Sequence, residues 1–259
     1  MISLIVIEYH SLDDIKACIK AVKATCSDTE LIVSSNSCYS KEKQEEILRA
    51  MPEARWSFNE QNGGFAYGMN QGLKIAKGDY LAIMNPDVKL QGSLSVLSRF
   101  LAEHSEVGAV APQFVGYDGE IQDSCRSFVT PWRFFTRQIR RVFTRKVSVI
   151  NSDFDYSKTQ TVNCVIGAFI MVKREVYDKV GGLDDAYFMY AEDIDWCTRI
   201  WQAGYQVVYC PQVCMKYEGS RRARTDKKFA KIFILSHMKY WKKFGFIWGY
   251  PNTEHIVFD

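Results

Sequence analysis

Long apolar runs are missing from this sequence. No stretch approaches the roughly 20 consecutive apolar residues that a membrane-spanning helix needs. The apolar run Ile2–Ile7 is too short for a secretion signal, and no cleavage site of small residues follows it. We therefore expect a cytoplasmic protein, either soluble or peripheral at the inner face of the membrane.

Cysteine and histidine patterns typical of metal sites are also missing. The chain has 8 cysteines and 4 histidines, but no paired cysteine spacing with a matching pair of histidines, which would indicate zinc. A disulfide framework is typical of small secreted domains and not of a chain of 259 residues. The cysteines are predicted to be reduced thiols, most of them buried.

Neither sign of charge dominates the composition. Lysine and arginine number 33 against 30 acidic residues, so the net charge of +3 is too small to indicate a nucleic-acid partner. The sequence also lacks Gly-x-Gly-x-x-Gly after its first predicted strand, where a dinucleotide site would need it. No nucleic-acid partner is expected, and a nucleotide-dependent oxidoreductase is the weakest of the enzyme hypotheses.

The chain does contain a regular alternation of short apolar and longer amphipathic segments. Residues 2–7, 30–34 and 55–58 have the length of buried strands, and 13–23 and 40–51 have apolar residues at helical spacing. Strands that alternate with helices predict an α/β domain with a mostly parallel sheet. Four local predictions accompany this pattern: Ser11 caps the first helix, Leu48 faces inward, one strand covers 162–172, and Pro211 ends a strand at 205–209.

The stretch from Asn62 to Val88 contains the first candidate site. Gly63 and Gly64 allow a close backbone approach and open a helix whose free amides can face an anion, and Gly78 is predicted to end that helix. The apolar strand that follows stops at Asn85-Pro86-Asp87, because proline cannot donate to a strand ladder. A carboxylate at the end of a buried strand suits a metal-bridged diphosphate, although an ordinary turn accounts for the same residues.

A second candidate site is the acidic run Glu192, Asp193 and Asp195, at the start of a predicted helix. Acidic residues are favoured in a first helical turn by the helix dipole, so helix capping explains this run on physical grounds alone. A catalytic base is the other interpretation, and the pattern by itself does not decide between the two.

The order of the motifs resembles a known family. Asn62-Gly63-Gly64-Phe65-Ala66 with Asn70, Asn85-Pro86-Asp87-Val88, Gly167-Ala168-Phe169, Gly181-Gly182-Leu183-Asp184 and Phe188–Asp195 are similar to motifs of inverting, family 2 nucleotide-sugar glycosyltransferases with the GT-A fold. The closest resemblance is to bacterial rhamnosyltransferase-like members. It implies a Rossmann-like central sheet flanked by helices, with residues 1–112 as the donor-binding half, 113–224 as the acceptor-binding and catalytic half, and 225–259 as a C-terminal helical extension.

The resemblance also implies roles for individual residues. Asp193 corresponds to the catalytic base, and Asp87 to the carboxylate that holds Mg²⁺ or Mn²⁺. The donor-binding positions are Glu8, Tyr9, Ser34, Asn36, Asn62, Gly63, Gly64, Asn70 and Asn85. The acceptor-binding positions are Gly167, Ala168, Glu192, Asp195 and Trp196, and the candidates for the diphosphate are Lys216 and Arg221.

The sequence departs from the family pattern in three places. Glu8-Tyr9-His10 stands where an Asn-Tyr-Asn-like run is usual, and Ser34 stands where an aspartate usually contacts the nucleotide. Lys216-Tyr217 replaces a histidine pair that can assist the metal, so a lysine charge is available to the diphosphate instead.

Two basic segments have more than one interpretation. Residues 124–150 mix arginines with aromatics, which indicates a surface helix, a lid over an anionic acceptor, or a segment resting on acidic lipid headgroups. The basic amphipathic helix predicted over 226–244, ended by Gly245, either packs on the domain or docks on a membrane surface.

The sequence thus predicts a glycosyltransferase that moves a sugar, rhamnose by nearest resemblance, from a nucleotide-sugar donor to a saccharide or lipid-linked acceptor in cell-envelope polysaccharide synthesis. The alternative is a nucleotide- or carbohydrate-binding subunit with the same fold and no turnover. Oligomeric state is not predicted.

Overall fold

The computed structural model describes residues 1–26, 28–128, 130–132, 134, 154–219, 226–245, 251 and 253–258. Its strands are β1 Ile2–Glu8, β2 Thr29–Ser35, β3 Arg55–Phe58, β4 Tyr80–Met84, β5 Lys89–Leu90, β6 Val107–Val115, β7 Cys125–Arg126, β8 Thr159–Thr161, β9 Cys164–Val165, β10 Phe169–Lys173, β11 Gln206–Lys216 and β12 Val257–Phe258. Its helices are α1 Leu12–Thr25, α2 Lys41–Ala50, α3 Phe65–Ile75, α4 Ser95–Glu103, α5 Arg174–Val180, α6 Glu192–Gln202 and α7 Lys227–Phe244.

The main sheet has the order β12-β8-β11-β6-β10-β4-β1-β2-β3, with β5 paired to β11. Strands β3, β2, β1 and β4 are parallel to one another, as the alternation of strands and helices predicts. Strand β10 is antiparallel to both of its neighbours, β4 and β6, while β11 is parallel to β6. The sheet is therefore mixed, and β7 and β9 form a separate pair.

Helices cover both faces of the main sheet. In β1, Leu4 and Val6 face a core that contains the inward residues of α1, α2 and α4, whereas Ile5 faces the core formed with α3, α5, α6 and α7. Successive side chains of a strand point to opposite faces, so one apolar strand contributes to both cores. The three layers match the predicted α/β class.

Several local predictions were wrong, and each has a physical reason. Ser11 does not cap α1 with its side chain; its backbone amide donates to Oε1 of Glu8 at 2.9 Å instead. Leu48 is 45% exposed, because Ile47 and Met51, four residues apart, occupy the inward face of this segment.

Gly78 does not end helix α3, which stops at Ile75 with Ala76 as its cap. The glycine lies against the start of β1 instead, where an added Cβ would approach the amide nitrogen of Ser3 to 2.6 Å. A glycine after a helix is therefore explained here by close backbone packing and not by helix termination.

Two strand predictions near glycine and proline also failed. The segment 162–172 is split by Gly167 into β9 and β10, which belong to different sheets. Pro211 does not end β11, because the register with β6 shifts between Cys210 and Cys214. This irregularity accommodates a residue that has no amide hydrogen to donate.

The C-terminal region is more than a helix. Gly245, with a φ of 92°, ends α7 as predicted, and Asp226 caps its start by accepting a hydrogen bond from the amide of Lys228 at 2.7 Å. The later strand β12 returns to the edge of the main sheet beside β8. No helix in the described ranges is both long and apolar enough to cross a membrane.

Candidate active site

Chain segments from several elements meet at one edge of the sheet. Strands β4 and β11 run in the same direction and end there, and the antiparallel strand β10 begins there. The amide of Asn85, just beyond β4, donates to the carbonyl oxygen of Ala168, just before β10, at 2.9 Å. Residues that follow β4 and β11 therefore lie beside the turn that contains Gly167, at the end of the sheet where α/β proteins bind ligands.

Tyr217 lies near both the predicted base, Asp193, and the predicted metal ligand, Asp87. The pKa of its hydroxyl is raised to about 12, mainly by burial and also by the negative charges of Asp87 and, more weakly, Asp193. Nδ2 of Asn85 donates to the same hydroxyl at 3.3 Å. Asn85 lies two positions before Asp87 and is hydrogen-bonded to Ala168, next to the Gly167 whose amide holds Asp193, so Asp87 and Asp193 lie at the same edge of the sheet.

Asp193 occupies the first turn of α6, and backbone amides hold its carboxylate. The amide of Gly167 donates to Oδ2 at 2.9 Å, and the amide of Ile194 donates to Oδ1 at 2.8 Å. The side chain is half-buried, whereas Glu192 and Asp195 on either side are buried. Asp193 is therefore the residue of the acidic run whose oriented carboxylate is partly accessible.

The turn before α6 is strained. Tyr190 and Ala191 have φ values of 71° and 68°, in the left-handed region that residues with a side chain rarely adopt. Such residues typically cost 1–3 kcal/mol each and cluster at functional sites. The strain lies directly before the helix turn that carries Asp193.

Glu192 is a buried acid beside Asp193, and its environment favours the protonated form. Burial raises the pKa of its carboxyl well above the ordinary value, and the neighbouring charge of Asp193 raises it further. Its Oε2 atom has no hydrogen-bond partner among the residues that the structure describes. A neutral carboxylic acid can donate a hydrogen bond, so Glu192 remains a candidate contact for a hydroxyl of the acceptor.

Asp195 and Trp196, both expected at the acceptor, lie in the interior instead. The carboxylate of Asp195 is fully buried and forms ion pairs with Arg199 and Lys243, each at 2.6 Å. The indole nitrogen of Trp196 donates to the carbonyl oxygen of Gly181 at 3.0 Å. Their polar atoms contact the protein itself, which ties α6 to α7 and to the turn before it.

Glu8 organises the strand ends on the predicted donor side. Its side chain is fully buried and accepts hydrogen bonds from the Ser37 hydroxyl at 2.9 Å and the Tyr39 hydroxyl at 3.1 Å. The adjacent Tyr9 is 54% exposed. Glu8 thus supports the loops after β1 and β2, and Tyr9 is the accessible residue of this pair.

An amide network joins the ends of β2 and β3 to the glycine turn. Nδ2 of Asn59 donates to Oγ of Ser34 at 3.0 Å and to Oδ1 of Asn36 at 2.8 Å. Nδ2 of Asn36 donates to the carbonyl oxygen of Gly64 at 2.9 Å, and Oδ1 of Asn62 accepts from the amide of Gly64 at 3.1 Å. Ser34, in the place of an aspartate, therefore has an internal partner.

Gly64 brings the donor half against the segment that leads to Asp193. Its φ of 93° suits glycine, and an added Cβ would lie 2.1 Å from the carbonyl oxygen of Phe188. The amide of Phe65 donates to the same oxygen at 2.8 Å. The adjacent Gly63 packs against the ring of Tyr67, where an added Cβ would approach to 2.4 Å.

Asn70 makes a second connection between the halves. Its Nδ2 donates to the carbonyl oxygen of Leu183 at 2.7 Å, and its Oδ1 accepts from the amide of Leu183 at 3.0 Å. The side chain is buried. Asn70 was expected to bind the donor, but both ends of its amide hold the turn after α5 against α3.

The side chains near Asp87 suit a divalent cation that is bound mainly through the phosphates of a substrate. No group of three His, Cys, Asp or Glu side chains that could hold a metal occurs in the described part of the chain. Asp87 offers hard carboxylate oxygens, and Mg²⁺ usually binds through one or two carboxylates plus substrate phosphates. Tyr217, at a histidine position of the resembling family, is a protonated phenol with a raised pKa and is a poor metal ligand.

Two basic side chains, Arg126 and Lys216, lie at the same edge of the sheet as Tyr217. Burial raises the pKa of Tyr217 and Cys164, and the positive charge of Arg126 partly opposes that rise in both groups; Nε of Arg126 has no hydrogen-bond partner within the described ranges. Lys216 is half-buried at the end of β11. Arg221, the other predicted diphosphate contact, lies outside the described residues, as does most of the basic segment 124–150.

Sequence reasoning missed two contributors to this site. Arg126 is one of several arginines in the basic segment 124–150, and its position depends on the pairing of β7 with β9. Phe188 contributes a backbone carbonyl, which has no signature in the side-chain sequence. The Gly63-Gly64 pair was the one available signal that another backbone comes close.

Comparisons with known proteins agree with the fold. The family description "Glycosyl transferase family 2" matches residues 3–181, and "Glycosyl transferase family group 2" matches residues 113–250. The mannosyltransferase PcManGT from Pyrobaculum calidifontis, solved with GDP-Man and Mn²⁺, superposes with a TM-score of 0.61 at 18% identity over 93% of this chain and 64% of that one. The central sheet flanked by helices is therefore a GT-A fold.

Two curated proteins are similar in sequence. Rhamnosyltransferase WbbL from Escherichia coli K12 is 24% identical over 223 residues, which cover 82% of this chain and 81% of WbbL. N-acetylglucosaminyl-diphospho-decaprenol L-rhamnosyltransferase from Mycobacterium tuberculosis is 28% identical over 137 residues, 51% of this chain and 45% of that protein. The match thus spans less than half the length of the mycobacterial relative.

Proposed function

This chain belongs to glycosyl transferase family 2, and we propose that it moves one sugar from a nucleotide-diphosphate donor to a saccharide or lipid-linked acceptor, with inversion. The observation that carries the proposal is that Asp87 and Asp193 lie at one edge of the sheet: the amide of Asn85, two residues before Asp87, donates to Ala168, and the amide of Gly167 donates to Asp193. Two carboxylates with separate positions can serve separate roles, one at the leaving group and one at the incoming hydroxyl.

Asp193 is the proposed general base. The amides of Gly167 and Ile194 orient its carboxylate, and its half-buried position leaves it open to a hydroxyl group. The acceptor hydroxyl gives its proton to Asp193 while its oxygen bonds to the anomeric carbon, and the bond from that carbon to the diphosphate breaks. One displacement of this kind inverts the anomeric configuration.

Asp87, a divalent cation and two basic side chains are proposed to stabilise the nucleoside diphosphate as it leaves. A divalent cation held by Asp87 and the diphosphate would neutralise charge that develops on the departing oxygens. The Mn²⁺ in the solved mannosyltransferase supports this assignment. Arg126 and Lys216 place further positive charge at the same edge of the sheet, where it stabilises the nucleoside diphosphate.

The donor and acceptor are the finer part of the proposal. Two relatives named as rhamnosyltransferases support a rhamnosyl donor, and the mycobacterial name supports a lipid-linked, diphosphate-containing acceptor. We place the donor in the 1–112 half, beside Tyr9 and the glycine turn, and the acceptor in the 113–224 half, beside Gly167 and Glu192. Such an acceptor would give the protein a role in cell-envelope glycan synthesis at the cytoplasmic face of a membrane.

The test is release of nucleoside diphosphate from a panel of nucleotide-sugars, including dTDP-rhamnose, with Mn²⁺ and with or without candidate saccharide acceptors. We expect Asp193→Asn to lower acceptor-dependent release by roughly 10²–10⁴-fold, the usual contribution of a general base. Donor binding, followed by thermal shift, should survive because the substituted side chain has the same shape. Equal release by the variant would refute the assignment, and donor binding without release by the native chain would favour a silent binding subunit.

A further inference from the structure

Helix α7 has an unusual distribution of charge. It contains six lysines and no acidic residue between its first and last positions, and it is 18 residues long. Its inward face is buried against the domain through Ser236, His237, Tyr240, Trp241 and Phe244. Lys243 pairs with Asp184 and Asp195, so the helix is anchored to the core on one side, while its other lysines are exposed to solvent.

The outward face of α7 combines that charge with apolar side chains. Ile234, Leu235 and Met238 are 48%, 46% and 54% exposed. Lys231 and Lys242 are exposed on the same side of the helix, and neither forms an ion pair with a residue that the structure describes. Apolar area left in water on a helix that is otherwise well packed indicates a surface for interaction.

An apolar groove extends this face toward the candidate active site. Leu235 and Met238 line it together with Ile232 and Phe188, and its volume is about 460 Å³. Phe188 is 41% exposed at the groove, while its backbone carbonyl accepts the hydrogen bond from Phe65 beside the glycine turn. One residue therefore belongs to both the outward surface and the wall of the site.

A second aromatic segment approaches the same helix. The ring of Phe134 lies 5.9 Å from that of Phe233 and 5.2 Å from that of Trp241, measured between centroids. Trp132, two residues earlier, is 78% exposed. Tryptophan is favoured at the level of lipid headgroups, where one part of its ring is apolar and another is polar.

We propose that the outward face of α7, together with the groove at Phe188, docks on a bilayer that contains anionic lipids. Ile234, Leu235 and Met238 enter the boundary between headgroups and acyl chains, and the lysines contact lipid phosphates while their methylene stems cover apolar surface. Lys231 and Lys242 are exposed and form no ion pair with a described residue, so their charges are available to complement anionic headgroups. A protein partner is less well matched, because unpaired lysines are depleted at protein interfaces.

Docking through this surface would also position the candidate active site. Phe188 precedes the strained turn and Asp193, so docking through its groove holds the candidate active site at the membrane surface. If the proposed function holds, a lipid-linked acceptor would then reach Asp193 without leaving the bilayer. The docking itself needs neither donor nor turnover.

The test is co-sedimentation of the full chain with vesicles of phosphatidylcholine, alone or mixed with phosphatidylglycerol. We expect binding to the mixed vesicles only, weakened by added salt. Lys231→Gln with Lys242→Gln should lower the partition coefficient roughly 30-fold, because each lysine near an anionic surface contributes about fivefold. Leu235→Ser should lower it roughly tenfold through lost apolar burial.

Matched controls lie on the opposite face of the sheet. Leu48, on α2, is 45% exposed, nearly the same as Leu235, and Lys16 and Lys20 are exposed on α1. Leu48→Ser and the double variant Lys16→Gln with Lys20→Gln should bind vesicles like the native chain. Thermal melts should be equal for all variants, since every substituted side chain is exposed.

Four results would overturn the proposal. Three of them are equal binding to neutral vesicles, no binding to either kind of vesicle, and equal losses of vesicle binding in the α7 variants and their controls. A fourth is concentration-dependent self-association, by analytical ultracentrifugation, that Leu235→Ser abolishes while vesicle binding persists, because this face would then be a protein interface. Vesicle binding that depends on α7 in a chain that releases no nucleotide would support the docking surface and refute only the proposed function.

Discussion

The amide of Gly167 donates a hydrogen bond to Oδ2 of Asp193 at 2.9 Å, across 26 positions of the chain. Gly167 lies in the turn before β10 and Asp193 in the first turn of α6, so this contact joins the sheet edge to the helix that carries the proposed base. An added Cβ at Gly167 would lie 3.3 Å from Cβ of Asp193. The absence of a side chain at position 167 therefore sets where the carboxylate can sit.

Gly167→Ala should lower kcat about tenfold with little change in donor affinity. The new methyl group would displace Asp193 by a few tenths of an ångström, and a displacement of 1 Å in catalytic geometry can cost about 10²-fold. Steady-state kinetics and donor calorimetry measure the two effects separately. Gly92→Ala, where an added Cβ meets nothing within 4 Å, is the matched control; equal kcat for both variants would contradict the positioning role.

Gly64→Ala should destabilise the fold by more than about 3 kcal/mol. A side chain at its positive φ costs about 1–3 kcal/mol, and the backbone carbonyl at Phe188, 2.1 Å from the new Cβ, would also have to move. Gly119→Ala isolates the strain, because Gly119 has a φ of 83° and nothing within 4 Å of an added Cβ. Urea unfolding of the two variants gives the difference, and equal losses would argue against close packing at Phe188.

Glu192→Gln should stabilise the protein increasingly as pH rises from 5 to 8. The carboxyl of Glu192 has a raised pKa in the folded state, so the folded chain keeps a proton that the unfolded chain releases above its ordinary pKa of 4.5. The stability that this proton confers is complete below the unfolded pKa and is lost as pH rises toward the folded pKa, by at most about 1.4 kcal/mol per pH unit. Glutamine has no proton to lose.

Thermal melts of the native chain and of Glu192→Gln across that pH range give the comparison. A difference in melting temperature that stays constant with pH would mean that Glu192 does not titrate anomalously. Glu175→Gln, at an exposed glutamate of α5, is the matched control for the substitution itself.

Asp87→Ala should remove the effect of Mn²⁺ on nucleotide affinity. If the cation bridges Asp87 and the diphosphate, loss of that ligand should weaken metal-dependent binding at least tenfold, the range seen when the surroundings of a metal site are altered. Calorimetry with and without Mn²⁺ measures the change. Asp178→Ala, an exposed carboxylate on α5, should bind like the native chain; an Asp87 variant that keeps the full metal effect would move the cation site elsewhere.

The sequence predicted the ends of helices and strands best where one proline or glycine controls the backbone conformation. The strand Tyr80–Met84 ends where it was predicted to end, because Pro86 prevents the ladder from continuing. Gly245 ends α7 as predicted, with the positive φ that favours glycine. Gly78 does not end a helix and Pro211 does not end a strand, although both were predicted to do so. Gly78 is explained by close packing against β1, and Pro211 by the register shift between β11 and β6.

The amino-acid sequence by itself determined the α/β class and the family resemblance, and it identified Asp87 and Asp193 as the candidate carboxylates. Hydrophobic periodicity and short ordered motifs are local properties of the chain. Only the tertiary structure decided which members of the predicted set are accessible. Asp195 and Asn70 are enclosed by ion pairs or amide contacts from distant segments, while Asp193 stays half-buried beside Tyr217. Burial and electrostatic neighbours depend on contacts between residues more than 100 positions apart, such as Asn85 with Tyr217, and no local pattern encodes those contacts.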